Sequence, residues 1–154
     1  MNEPGRILRM SMRSLFDMLD FIQIVSDRVG QMAGLDEDSL HWVGVAIRES
    51  VINAIKHGNR LDEAKEVIVE FAFVPIDRPR ELVISVCDQG EGFDPEEVAD
   101  PLAPENMLKS SGRGIFFMKS FMDDVVLRRR PEGGMECRLV KNLAGPPAAF
   151  DATA

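Results

Sequence analysis

Residues 43–60, VGVAIRESVINAIKHGNR, decide how this chain folds, because they read as one helix with two different stripes. Val43, Ile47, Val51 and Ala54 recur at threes and fours, which gives the helix a side gripped by a core. Glu49, Asn53 and His57 fall four apart on roughly the opposite side, and Gly58 follows them. Val45 and Ile52 flank this polar stripe. A carboxylate and a carboxamide beside apolar neighbours are costly to desolvate unless something hydrogen-bonds or coordinates them, so the stripe points to a ligand or a metal. The alternative is a helix face that simply meets water.

Upstream of this helix, Leu8, Met10 and Met12 alternate with Arg9, Ser11 and Arg13, the period of a strand wet on one side. Leu15, Met18, Leu19, Ile22, Val25, Val29 and Met32 then recur with the spacing of an amphipathic helix that Gly34 can end. Asp36, Glu37, Asp38 and Ser39 supply capping and acidic groups for the start of the next helix, which stops near Gly58. Downstream, Val67, Val69, Phe71 and Phe73 share one face of a strand. After the turn-prone PIDRPRE, the segment LVISVC puts Leu82, Ile84 and Val86 on a common face. The run GRGIFFMKSFMDDV opens a short helix, and VVLRRR and MECRLVK finish the fold as two strands with Met135, Cys137 and Leu139 inward. Polar residues of opposite parity, such as Glu70, Ser85 and Arg138, predict helices on one face of the sheet only. The class is therefore α+β, a two-layer α/β sandwich with a mixed, mostly antiparallel sheet. Two successive helices before a run of strands disfavour a doubly wound parallel fold.

With 154 residues, 45% hydrophobic and 29% charged, the chain suits one domain with a real core. The net charge of −8 argues against a nucleic-acid partner, which would need basic residues to neutralise phosphates. No apolar run approaches the roughly 20 residues of a membrane span, and MNEPGRILRM has no signal-peptide character, so a cytoplasmic location is expected. Cys87 and Cys137 sit in apolar strand-like runs as small core residues, although sequence alone leaves a disulfide open. The basic run Arg128, Arg129 and Arg130 reads as a solvated strand end. The segment from Ala144, AGPPAAFDATA, reads as a frayed tail.

Three separated constellations converge on one ligand. By strand parity Asp88 points to the apolar side, and Gly90 and Gly92 after it allow close backbone approach, an arrangement suited to the exocyclic amine of a purine. Ser110, Ser111, Gly112, Arg113 and Gly114 at a helix start offer unpaired amides for phosphates. Asn53 offers a neutral oxygen of the kind magnesium uses beside phosphate oxygens and water. Each alone reads as a turn or a solvated face; together they describe a nucleoside triphosphate with its metal.

At these residues the chain resembles a known family. ESVINAIKHGN looks like the N box, DQGEGF the G1 box and SGRGIFFM the G2 box of the GHKL, or histidine kinase-like, ATPases with the Bergerat fold. Within that superfamily the likeness is nearest to the bacterial anti-sigma factor serine/threonine kinases, and it covers roughly residues 6 to 142, leaving 143–154 as a flexible C-terminal tail. The resemblance implies ATP and magnesium as cofactors. It makes Glu49 similar to the catalytic base and Asn53 to the magnesium holder, with Asp88 bonding the adenine amine. Gly90 and Gly92 would shape the adenine pocket, and Gly112, Arg113 and Gly114 would lie at a mobile lid and the phosphates. Gly58 reads as structural, His57 is left open between roles, and Lys56 is read as solvated.

The implied activity is phosphoryl transfer from ATP to a serine or threonine of a small anti-sigma factor antagonist, a STAS-type protein. The unphosphorylated antagonist competes with a sigma factor for the kinase, and such kinases often form homodimers; neither nucleic acid nor membrane is implied. Two further functions stay open: a nucleotide-gated binding module that sequesters a regulator, and an ATP hydrolase of the same fold. The chain departs from the pattern in two places. Gly133-Gly134-Met135 stands where many relatives have a threonine after the glycines, and the stretch from Phe93 to Ser111 is short and carries Pro95, Pro101 and Pro104.

Overall fold

The computed structural model describes residues 5–92 and 118–143. Five strands form a single sheet: β1 (Arg6–Arg13), β2 (Glu66–Val74), β3 (Glu81–Cys87), β4 (Asp124–Arg129) and β5 (Met135–Asn142). Their order in space is β1-β2-β3-β5-β4, and every pairing is antiparallel. Two helices, α1 (Leu19–Met32) and α2 (Glu37–Asn53), precede β2, and a 3₁₀ turn at Phe16–Met18 leads into α1. The two-layer α+β architecture is the expected one, and the sheet is antiparallel throughout the described residues. The expected tail from Ala144 and the Pro-containing stretch from Phe93 to Ser111 lie outside the described residues.

Each element follows from its local chemistry. Asp36 caps α2: its carboxylate accepts the Ser39 amide at 2.7 Å, which holds that carboxyl below the usual carboxylate range. Gly34, at φ 76°, gives the left-handed turn between α1 and α2. On one face of the sheet Val67, Val69, Phe71 and Phe73 stand beside Leu82, Ile84 and Val86, all fully or almost fully buried. Ile22 and Val29 of α1 and Val43, Ile47 and Val51 of α2 pack into the same core. Burying each such side chain is worth about 1.5–3 kcal/mol, which is what fastens the helices to this face.

The opposite face departs from the wet surface that alternation predicts. Ile68, Ala72, Val83, Ser85 and Cys87 are buried there too. Long charged side chains of the same parity flank them: Glu70 holds Arg6 and Arg9 at 3.4 Å, and Glu136 is paired with Arg128. The stems of such residues shield smaller neighbours while their heads stay wet. The register also closes the disulfide question, because Cys87 lies across from Glu136 and Cys137 across from Val86. Adjacent ladder positions put the two sulfurs on opposite faces, and both cysteines are free. Among the described residues no helix is long and apolar enough to cross a membrane.

Candidate functional site

The polar stripe of α2 does not continue as a plain α-helix. Ala54–Gly58 form a π-helical turn, closed by the Asn59 amide donating to the Ala54 carbonyl at 2.7 Å. A π turn holds more residues per turn and commonly marks a functional site. Arg60 and Leu61 then adopt left-handed backbone, at φ 52° and 62°, and the Leu61 amide donates back to the Ile55 carbonyl at 2.9 Å. Non-glycine residues rarely adopt this conformation, so the end of the helix is held in a strained reversal by its surroundings.

That reversal sets Gly58 directly against Asp88, the residue after β3. Asp88 is only 5% exposed. Its Oδ1 accepts the amides of Gly90 at 2.9 Å and Met135 at 3.1 Å. Its backbone is fixed as well, the amide donating to the Met135 carbonyl at 3.0 Å and the carbonyl accepting Arg130 Nη1 at 2.8 Å. Three glycines make room for it. A Cβ on Gly58 would collide with the Asp88 carboxylate, one on Gly90 with the Gly58 carbonyl, and one on Gly134 with the Asp88 carbonyl. Gly134 is in addition at φ 84°, where a side chain is disfavoured. The carboxylate thus has one oxygen committed to protein amides, while Oδ2 lies on the Gly58 side.

Asp88 lines a cavity of about 390 Å³, within the range of small-molecule sites. Asn53, His57, Gly58 and Arg60 contribute to its wall from the end of α2 and the reversal, and Glu91 and Gly92 from the loop after β3. The apolar part of the lining is Ala54, Val86, Met118, Leu127, Met135 and Cys137. Ser50, also on the wall, donates to the Ala46 carbonyl at 3.0 Å and lies 2.8 Å from Met118 Sδ. Burial pushes the Cys137 thiol up to about 11, so it lines the site as a neutral group. The wall thus divides into a polar side, with Asn53 and Asp88 beside His57, Arg60 and Glu91, and an aliphatic, sulfur-rich side. That division suits a flat heterocycle bearing one hydrogen-bonding edge.

Of the residues singled out from sequence, Asn53, Asp88 and Gly92 share this wall. Gly90 stands behind it, against the Gly58 carbonyl. Glu49 lies one helical turn before Asn53, half-buried, and is not part of the cavity lining. His57 is exposed at the rim and Lys56 faces solvent. Gly112, Arg113 and Gly114 lie outside the described residues. No group of three or more His, Cys, Asp or Glu side chains among the described residues is arranged to hold a metal. A single carboxamide on a cavity wall nevertheless fits magnesium, which keeps most of its waters and takes phosphate oxygens as partners.

Sequence reasoning missed the residues that hold the aspartate loop in place. Asn59, 0% exposed, donates from Nδ2 to the Glu66 carbonyl at 3.0 Å and accepts the Gln89 amide on Oδ1 at 2.8 Å. Gln89 returns the contact by accepting the Glu66 amide at 2.8 Å. The basic run, expected as a solvated strand end, is exposed at Arg128 and Arg129, but its side chains also have partners. Arg128 pairs with Glu136, Arg129 Nη2 donates to the Glu91 carbonyl at 3.3 Å, and Arg130 bridges the Asp88 carbonyl and Glu132. Arg129 and Arg130 grip the loop because the β4–β5 turn lies against it, which strand parity alone does not reveal.

Comparison with known proteins places these features in company. The sequence profile described as the histidine kinase-like ATPase domain matches residues 18–141. The chain is 28% identical over 142 residues to the serine-protein kinase RsbW of Staphylococcus epidermidis, covering 88% of this chain and 86% of that protein. It is 27% identical over 137 residues to the RsbW of Staphylococcus aureus, covering 85% and 84% of the two chains. Among solved structures, the RsbU and RsbW domains of Rv1364c from Mycobacterium tuberculosis superpose with a TM-score of 0.62 at 18% identity. That likeness spans 93% of this chain and 34% of the other, and it concerns the fold.

Proposed function

Since the chain belongs to the histidine kinase-like ATPase domain family, we propose that its cavity binds ATP with magnesium and that the protein is an anti-sigma factor serine/threonine kinase. The observation that carries this reading is the aspartate in its three-glycine cradle. Asp88 has one oxygen held by two amides and the carboxylate set in the cavity wall, facing the space that Asn53 also lines. A buried acceptor so fixed is matched by a ligand that brings a donor, and the adenine amine is such a donor. The RsbW relatives of similar length, named as serine-protein kinases, support the activity.

In this reading Asn53 would hold magnesium, which would supply charge neutralisation at the phosphates when the nucleotide is bound. Asp88 and the apolar wall would orient the base, leaving Asn53 at the end of α2 for the magnesium and the phosphates. Glu49 lies one turn before Asn53 on α2 and is the carboxylate assigned to the base role in this reading. It would accept the proton of the attacking serine or threonine. Positioning and electrostatics supply most of the rate in such transfers. Gly112, Arg113 and Gly114 would meet the phosphates. Residues 6–142 act as one domain in the cytoplasm, and the substrate is a STAS-type antagonist that competes with a sigma factor for a kinase homodimer.

The test is incubation with labelled ATP, magnesium and an antagonist protein. Label on an antagonist serine or threonine is the expected result. Free phosphate alone would make the protein a hydrolase, and tight nucleotide binding with neither product would make it a nucleotide-gated binding module.

A further inference from the structure

We infer that Asn59 is a positioning residue for base recognition, aiming the Asp88 carboxylate by holding the peptide unit that follows it. The inference rests on the reading of Asp88 as the group that receives the adenine amine. The peptide between Asp88 and Gln89 is gripped at both ends: its N–H donates to Asn59 Oδ1 at 2.8 Å, and its carbonyl accepts Arg130 Nη1 at 2.8 Å. Fixing that plane fixes the backbone torsion of Asp88 and hence the direction in which its side chain leaves the chain. The other end of the Asn59 amide donates to the Glu66 carbonyl at 3.0 Å, so the plane is referred to the start of β2 as well as to the end of α2.

The geometry leaves Asn59 little freedom to do anything else. It is 0% exposed, so both ends of its carboxamide must be satisfied inside the protein, and both are. It immediately follows Gly58, whose carbonyl touches Gly90 and whose Cα faces the Asp88 carboxylate. The loop and the helix end therefore meet along Gly58-Asn59 on one side and Asp88-Gln89-Gly90 on the other. Asn59 supplies a side-chain hydrogen bond across that seam. A shorter or apolar side chain would leave that peptide held at its carbonyl end alone, by Arg130, and so loosen the backbone that aims the carboxylate.

The discriminating experiment compares the affinity of ATP with that of purine riboside triphosphate, which lacks the exocyclic amine. The wild-type protein is expected to prefer ATP by at least tenfold. In Asn59→Ala the preference is expected to fall below about threefold, while affinity for the deaminated analogue changes much less. Gln89→Ala, at an exposed position, removes only the return contact to Glu66 and is expected to lower the preference by about twofold. Should Asn59→Ala not fold, the same comparison with Asn59→Ser, too short to reach the Gln89 amide but still polar, decides: a preference below about threefold supports the inference and an intact one overturns it. A purely structural Asn59 would lower the melting temperature and leave the preference intact, which would overturn the inference. A wild-type protein that binds both nucleotides equally would instead remove the reading of Asp88 on which it rests.

Discussion

Gly58→Ala is the most revealing single change, because secondary-structure propensity and the site predict opposite signs. Gly58 is not among the positive-φ glycines, so its backbone accepts a side chain. In a helical turn the replacement would ordinarily stabilise the protein by about 0.5–1 kcal/mol. Here the added methyl would lie 2.8 Å from Asp88 Cβ and nearer still to Cγ and Oδ2, inside the 3.0 Å that real Cβ contacts essentially never breach. Asp88 is walled in by Gly90 and Gly134 and cannot retreat without releasing the Gly90 and Met135 amides, at 2.9 and 3.1 Å. Hydrogen bonds to a charged acceptor contribute about 1.5–3 kcal/mol each. Losing the one made by the nucleotide should weaken ATP binding by about ten- to a hundredfold. Calorimetric titration with magnesium and ATP, alongside urea unfolding, measures both consequences. In an Asp88→Gly background, which removes Cβ as well as the carboxylate, the methyl has room, so Gly58→Ala should cost nothing further in affinity there. A folded Gly58→Ala protein that binds ATP within threefold of wild type would refute the cradle as the base-recognition element.

Glu49→Gln should leave ATP bound but reduce transfer to the antagonist by at least a hundredfold, as loss of a general base does; full transfer would take Glu49 out of that role. Arg130→Ala removes the donor to the Asp88 carbonyl and should cost about 1–2 kcal/mol in urea unfolding, with weaker nucleotide binding, whereas unchanged values for both would show that the loop holds itself. The two thiols set an alkaline limit. Burial raises Cys87 to about 12 and Cys137 to about 11 from 9.0, so stability from this source is intact below pH 9 and is lost as pH rises through 11 to 12. The chain has no tyrosine, so thiolate absorbance can be followed without phenolate overlap; at pH 10 it should appear only on adding denaturant. Thiolate signal from the folded protein at that pH would contradict the burial.

What could be read from the sequence was whatever repeats locally. Val67, Val69, Phe71 and Phe73 announce their face because the strand period is two, and all four are fully buried. Asp88 was legible for the same reason, since its parity continues that of Leu82, Ile84 and Val86. The second buried face was not, because Ile68, Ala72 and Val83 owe their burial to neighbouring strands whose register no local pattern encodes. The π turn was hidden too: nothing between Ala54 and Gly58 breaks the helical spacing, and the extra residue per turn is imposed by the contacts that Gly58 and Asn59 make with the Asp88 loop. Asn59 lies 30 residues from Gln89, and Arg130 lies 42 from Asp88. A sequence pattern can nominate the carboxylate that meets a ligand, but not the groups that hold it still. Those come from closure of distant segments onto one peptide plane, so substitutions at Asn59, the last residue of the N box, or at Arg130, outside all three boxes, should disturb recognition.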